Sequence, residues 1–88
     1  MVKTVLKVID PAGLHARPVS ILCSAAGKYS SKIEIEYGEK RANLKSIIGV
    51  LTLGIKVNSE IVIYADGEDE EVVMSSLVEL MKTNKIAE

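Results

Sequence analysis

The segment KIEIEY, residues 32–37, alternates apolar and charged side chains, which is typical of a β-strand with one buried face. Its isoleucines and its tyrosine would face the core, and its lysine and glutamates would face solvent. The next two residues, Gly38-Glu39, suit a tight hairpin turn with glycine first. A second, shorter strand is therefore predicted over Lys40–Asn43.

Two further strands and three helices are predicted around this hairpin. They are a strand over Val2–Ile9, a helix over Ala16–Gly27, a short helix between Ser46 and Gly54, a strand over Glu60–Ala65 and a last helix capped by Asp69, with a buried stripe of Met74, Leu77, Val78 and Met81. An alternating sheet has one apolar face to cover, so the helices should pack together on that face. The order β-α-β-β-α-β-α therefore predicts an α+β fold, a two-layer sandwich.

The composition limits both the size and the kind of protein. A chain of 88 residues suits one small domain, residues 1–88. Eleven basic and twelve acidic side chains give a net charge of -1, which argues against nucleic-acid binding. The single Cys23 forms no internal disulfide and fits a reducing compartment. The apolar runs are too short to cross a membrane, so we expect a cytoplasmic protein without membrane insertion.

The only histidine of the chain, His15, lies in the motif GLHARP, just before a predicted helix. A lone histidine can simply be a solvated surface group. Here, however, the helix start supplies free N–H groups for an anion, and Arg17 supplies a planar fork of donors suited to phosphate. Because it has no side chain, Gly13 would let the backbone approach neighbouring groups closely, and it would leave the imidazole of His15 uncrowded. Together these features predict phosphate binding.

Metal binding and other cofactor chemistry are not predicted. One histidine without nearby cysteines or paired carboxylates makes a poor metal site. No phosphate-binding Walker loop and no Ser-His-Asp arrangement is evident either.

Ser46 has two possible roles. It precedes an apolar run and is a good helix N-cap. A phosphoserine is also tolerated at a helix N-terminus, because the dipole and the free N–H groups favour negative charge, and Lys45 would add attraction. The residues alone leave open whether Ser46 is an ordinary cap or a modification site.

The apolar segment after Ser46 also has two interpretations. Ile47, Val50 and Leu51 could all be core residues of the short helix. Alternatively, some side chains of the segment are exposed and form a docking surface near His15.

The motifs GLHARP (residues 13–18) and NLKSIIGVLTLG (residues 43–54), together with the element order, resemble the HPr family over the whole chain. HPr proteins are histidine phosphocarriers of the phosphoenolpyruvate-dependent sugar phosphotransferase system, and the second motif is Gram-positive-like. The resemblance implies an open-faced sandwich with a four-stranded antiparallel sheet and three helices on one face. It implies that His15 carries the phosphoryl group on Nδ1 and that Arg17 binds it.

The same resemblance implies the partners. Enzyme I would supply the phosphoryl group and a sugar-specific enzyme IIA would receive it, so the protein would form a phosphohistidine intermediate rather than act as a free-standing enzyme. Ser46 would be the target of a regulatory serine-directed kinase and phosphorylase. Ile47, Ile48 and Leu51 would contact partners, and the protein is expected to be a monomer. Ala12, Ile48 and Leu51 differ from side chains common in the family, so the resemblance does not fix the affinity for these partners.

Two other functions remain open from the sequence. An acylphosphatase-like hydrolase is a similar-sized α+β sandwich with a phosphate-binding arginine. It would also need an asparagine to position water, and Asn43, Asn58 and Asn84 are not expected to lie near Arg17. A regulatory module that binds a ligand without covalent chemistry is the second alternative.

Overall fold

Burial along the strands repeats the alternation of the sequence. The computed structural model describes residues 1–88 and contains the seven predicted elements in the predicted order. They are β1 (Val2–Lys7), α1 (Ala16–Ala26), β2 (Lys32–Tyr37), β3 (Lys40–Asn43), α2 (Ile47–Thr52), β4 (Glu60–Asp66) and α3 (Glu70–Thr83). Ile33 and Ile35 are buried in β2, whereas Lys32 is exposed.

The four strands form one antiparallel sheet in the order β1-β4-β2-β3. The predicted hairpin is confirmed, because Tyr37 pairs with Lys40 across the Gly38-Glu39 turn. Gly38 adopts φ +62, a left-handed conformation that glycine accepts without steric cost. The three helices cover one face and leave the other open, so the predicted α+β open-faced sandwich is confirmed.

The core lies between the sheet and the helices. In α1 the apolar side chains that recur every three or four residues are buried, and they are Val19, Leu22, Cys23 and Ala26. In α3 the prediction was partly wrong, because Val73 is completely buried while Val78 is only half-buried. The longest helix, α3, has 14 residues, and none of the helices combines the length and apolarity needed to span a bilayer.

The first strand is shorter than predicted. It ends at Lys7, and Val8 forms only an isolated bridge with Ala87. The C-terminal tail, residues 86–88, runs beside this end of β1: the Glu88 N–H donates to the Lys7 carbonyl at 2.9 Å, and the Lys7 N–H donates to the Glu88 carbonyl at 2.8 Å. The tail thereby shields the outer edge of β1, which an edge strand would otherwise expose.

Asp69 occupies the N-cap position of α3, but its side chain does not cap the helix. Its carboxylate instead accepts hydrogen bonds from the backbone N–H groups of Ser30 and Ser31 and from the Ser31 hydroxyl. The two loops approach this closely because residue 67 is glycine: a Cβ there would lie 2.8 Å from the Ser31 Cα. Asp69, which was predicted to cap α3, therefore links the α1–β2 loop to the β4–α3 loop through hydrogen bonds.

These hydrogen bonds of Asp69 make the stability of the fold sensitive to acid. The hydroxyl of Ser31, followed by the N–H groups of Ser30 and Ser31, lowers the pKa of Asp69 from its ordinary value of 3.8, although desolvation opposes the shift. The stabilisation is fully present above the ordinary pKa of 3.8 and is lost as the pH falls through the lowered pKa of Asp69.

We predict that Asp69→Asn unfolds at a lower temperature than the wild type near neutral pH, and that its stability falls less than the wild type's on acidification. Thermal melts of both proteins, recorded from neutral pH down to below the ordinary pKa of 3.8, test this prediction. Glu68→Gln, at an exposed residue outside these contacts, is the control, and parallel curves for wild type and Asp69→Asn would contradict the role of the carboxylate.

Candidate functional site

The turn after β1 is built by Asp10, Pro11, Ala12 and Gly13. The Gly13 N–H donates to the Asp10 carbonyl at 2.8 Å, and the Ala12 N–H donates to Asp10 Oδ1 at 2.9 Å. Aspartate first, proline second and glycine fourth are the residues favoured at those positions of a β-turn. The sequence therefore encodes a rigid connection between β1 and the histidine.

Gly13 and Leu14 fix this turn against the segment that follows α2. Gly13 adopts φ +72, and a Cβ there would lie 2.6 Å from the Ile55 carbonyl oxygen. The same carbonyl accepts a hydrogen bond from the Leu14 N–H at 3.1 Å, and the Leu14 side chain is buried. The predicted close approach at Gly13 is thus observed, and His15 follows directly as an exposed residue.

His15 is the N-cap residue of α1. Its backbone is extended, its carbonyl accepts from the Val19 N–H at 3.1 Å, and its side chain makes no capping hydrogen bond. The first turn of α1 contains no acidic residue. Its first N–H groups therefore lack intrahelical partners and face no competing carboxylate of the same turn, which makes this end of α1 suitable for an anion.

Asp10, whose position in the sequence indicates only a turn residue, faces the imidazole. Its Oδ2 lies 3.5 Å from His15 Nε2, with 23% of the Asp10 side chain and 43% of the His15 side chain exposed. Nδ1 is therefore the ring nitrogen that does not face a carboxylate. The five-residue separation gave no sign of this contact, because it depends on the reversal of the chain at the intervening turn.

Arg17 is exposed and takes part in none of the ion pairs of the protein. It lines a groove of about 210 Å³ beside the turn. The lining residues are Asp10, Arg17, Pro18, Ile21, Asn84 and Ile86.

The expectation that Asn84 lies far from Arg17 was wrong. The last turn of α3 and the C-terminal tail bring Asn84 into the groove beside the start of α1. Its amide Nδ2 already donates to the Leu80 carbonyl at 2.9 Å, so it closes the end of α3. This placement is decided by the path of the tail, which periodicity does not predict.

Ser46 caps α2, as one of its two interpretations expected. The Ser46 Oγ accepts a hydrogen bond from the Gly49 N–H at 3.1 Å, and the residue is half-buried. The expectation that Lys45 adds attraction at this position stays a prediction. The Lys45 ammonium donates to the Tyr29 carbonyl at 2.7 Å and is therefore held toward the end of α1.

The apolar residues of α2 separate into two groups. Val50 is buried, whereas Ile47, Ile48 and Leu51 are 43%, 79% and 38% exposed. We call these three exposed residues the α2 patch. The segment after α2 contacts the turn before His15 through the Ile55 carbonyl, and α2 itself packs against α1.

Comparison with known proteins was made for the whole chain. The family model described as "PTS HPr component phosphorylation site" matches residues 2–83. A histidine-containing phosphocarrier protein of Mycoplasma is 40% identical, covers 97% of both chains and superimposes with a TM-score of 0.94. The phosphocarrier protein HPr of Bacillus anthracis is 33% identical over 89% of this chain and 93% of that one, with a TM-score of 0.83. An HPr dimer of Thermoanaerobacter tengcongensis is 35% identical over 90% and 91%, with a TM-score of 0.76.

Proposed function

Because this chain belongs to the HPr family of phosphocarriers of the sugar phosphotransferase system, we propose that His15 accepts a phosphoryl group from phospho-enzyme I and passes it to sugar-specific enzyme IIA. The observation that carries this proposal is the exposed imidazole at the uncapped N-terminus of α1, with Arg17 unpaired in the same first turn. A nucleophile, free N–H donors and a cation are thus brought together at one end of one helix. The working form would be a cytoplasmic monomer.

The chemistry requires positioning more than covalent assistance. The lone pair of Nδ1 attacks the phosphorus in line with the departing histidine nitrogen of the donor, and the electron pair of the broken bond returns to that nitrogen. The N–H groups of α1 and the Arg17 guanidinium stabilise the negative charge of the phosphoryl oxygens. These few contacts suit a carrier, which must release the phosphate to the next protein.

The α2 patch supports a docking role for Ile47, Ile48 and Leu51. The exposed apolar area of these side chains is not used by the core, and contiguous exposed apolar side chains typically mark interaction sites. Both partners must reach His15 at the start of α1, and α2 packs against α1. Enzyme I and enzyme IIA are therefore proposed to bind the same surface in turn.

Ser46 is proposed as a regulatory site for a serine-directed kinase and phosphorylase. It lies at the N-terminus of α2, immediately before the patch, and its hydroxyl already accepts from a helix N–H. A phosphate there adds about two negative charges beside the docking surface while remaining at the favourable end of the helix dipole.

The carrier role predicts the behaviour of His15→Ala. After incubation with enzyme I and phosphoenolpyruvate, wild type should gain one phosphoryl mass by intact-mass analysis, and the bond should be acid-labile. His15→Ala should gain none and should melt like the wild type, because the exposed imidazole contributes little packing. Phosphorylation of His15→Ala, or an acid-stable product, would place the phosphate on another residue.

A hydrolysis assay and the intact-mass analysis separate the two alternative functions. Release of inorganic phosphate from an acyl phosphate by the purified protein would favour the acylphosphatase-like hydrolase. Absence of any phosphorylation in the wild type would favour a module that binds its ligand without covalent chemistry.

Arg17→Lys tests the guanidinium. Lysine keeps the positive charge but loses the planar fork of donors, so transfer from enzyme I should slow by about ten- to a hundredfold. Initial rates with equal folded protein are the measurement. A wild-type rate in this variant would show that Arg17 is only a surface charge.

Phosphorylation of Ser46 is predicted to weaken docking without unfolding the protein. Transfer from enzyme I should slow by at least about tenfold through charge repulsion at the interface, while the melting temperature holds or rises slightly. Both are measured on one phosphorylated sample, and Ser75→Asp, at an exposed residue on α3, controls for added charge. Full transfer activity would leave Ser46 as an ordinary cap, and a large fall in melting temperature would contradict its placement at the helix end.

A further inference from the structure

We infer that Asp10 is a positioning residue for phosphoryl transfer, whose carboxylate keeps the imidazole proton of His15 on Nε2 and so leaves Nδ1 as the nucleophile. The inference rests on the proposed carrier function of His15. It adds a residue outside the GLHARP motif, and it depends on the contact of Asp10 with the imidazole.

The Asp10 carboxylate is held in place before any partner binds. Its Oδ1 accepts from the Ala12 N–H at 2.9 Å, and Pro11 restricts the intervening backbone. The Asp10 N–H donates to the Ile86 carbonyl at 3.3 Å, so the C-terminal tail anchors the residue from the other side. The second oxygen, Oδ2, is left to face the imidazole.

The geometry selects one tautomer of the neutral ring. Oδ2 lies 3.5 Å from Nε2, a distance at which attraction is mainly electrostatic rather than a short hydrogen bond. A carboxylate this close stabilises an N–H at Nε2 and disfavours a lone pair there, because it can only accept. The lone pair is therefore placed on Nδ1, the atom that must attack phosphorus.

The same carboxylate compensates the charge that develops during transfer. Nδ1 forms a bond to phosphorus while the bond from phosphorus to the donor nitrogen breaks and its electron pair stays on the donor. Nε2 keeps its proton throughout, so the His15 ring becomes cationic. Asp10 stabilises that cation, and its repulsion of the phosphoryl group is weaker because Oδ2 faces Nε2 rather than Nδ1 and Coulomb energy falls with distance.

Asp10→Asn is the discriminating variant. Its amide oxygen can still accept from the Ala12 N–H and preserve the turn, whereas its NH₂ group would donate to Nε2 and favour the opposite tautomer. Asp10→Ser provides a second variant that keeps a turn acceptor but has no charge. Glu68→Gln is the matched control for net charge. It removes one exposed carboxylate just after the C-terminal end of β4, whereas Asp10 follows the end of β1 that pairs with the N-terminal end of β4.

Two measurements test the inference. The ¹⁵N chemical shifts of the His15 ring, recorded at alkaline pH, report the tautomer without any phosphorylation. We expect the Nε2–H form to predominate in wild type and Glu68→Gln, and to lose that predominance in Asp10→Asn and Asp10→Ser. The initial rate of phosphoryl acceptance from enzyme I should fall by about two- to fivefold in both Asp10 variants, the size typical of a partly exposed charge pair.

The outcomes separate this inference from the carrier proposal. If wild type is phosphorylated on His15 and the Asp10 variants keep its tautomer or its rate, the role of Asp10 is overturned while the carrier function stands. A faster rate in Asp10→Asn would show that repulsion of the phosphoryl group dominates, which also overturns it. If wild type gains no phosphate, both proposals fail.

Discussion

The buried face of β4 constrains the rest of the structure. This strand lies between β1 and β2, and its inward side chains, Ile61, Ile63 and Ala65, are completely shielded from solvent. Full burial of a side chain such as isoleucine contributes about 1.5–3 kcal/mol, so this face of the sheet must be covered; α3 packs on β4 and β1, and α2 packs on β3. The helices can therefore pack on one side only, and the ends of the strands determine where their N-termini lie.

The histidine site follows from that packing. Once α1 lies over the sheet, the short turn from Asp10 to Gly13 must carry the chain from the end of β1 to the start of the helix. Gly13 meets this requirement because its backbone rests against the Ile55 carbonyl, where a Cβ would clash. The N-terminal end of α1, which carries His15 and Arg17, is thus fixed by a close backbone contact.

Stability and function use the polar residues of this small protein in different ways. At one end of the sheet, Asp69 is engaged by Ser30 and Ser31 and ties two loops together. At the other end, Arg17 forms no ion pair within the protein, and the α2 patch exposes apolar area that the core could have used. Groups left without internal partners are the ones available to a phosphoryl group and to docking proteins.

Much of this protein was determined by its sequence alone: the element order, the hairpin at Gly38-Glu39, the cap at Ser46 and the placement of His15 and Arg17 at the start of α1 all follow from local periodicity and turn chemistry. Such signals act over a few residues, within one strand or one helix turn. The role of Asp69, the entry of Asn84 into the groove and the contact of Asp10 with the imidazole were decided by tertiary structure. Each depends on the position that a loop or the C-terminal tail takes once the sheet and helices have packed. That position is fixed by contacts between segments distant in the chain, or by the reversal of the chain at a turn.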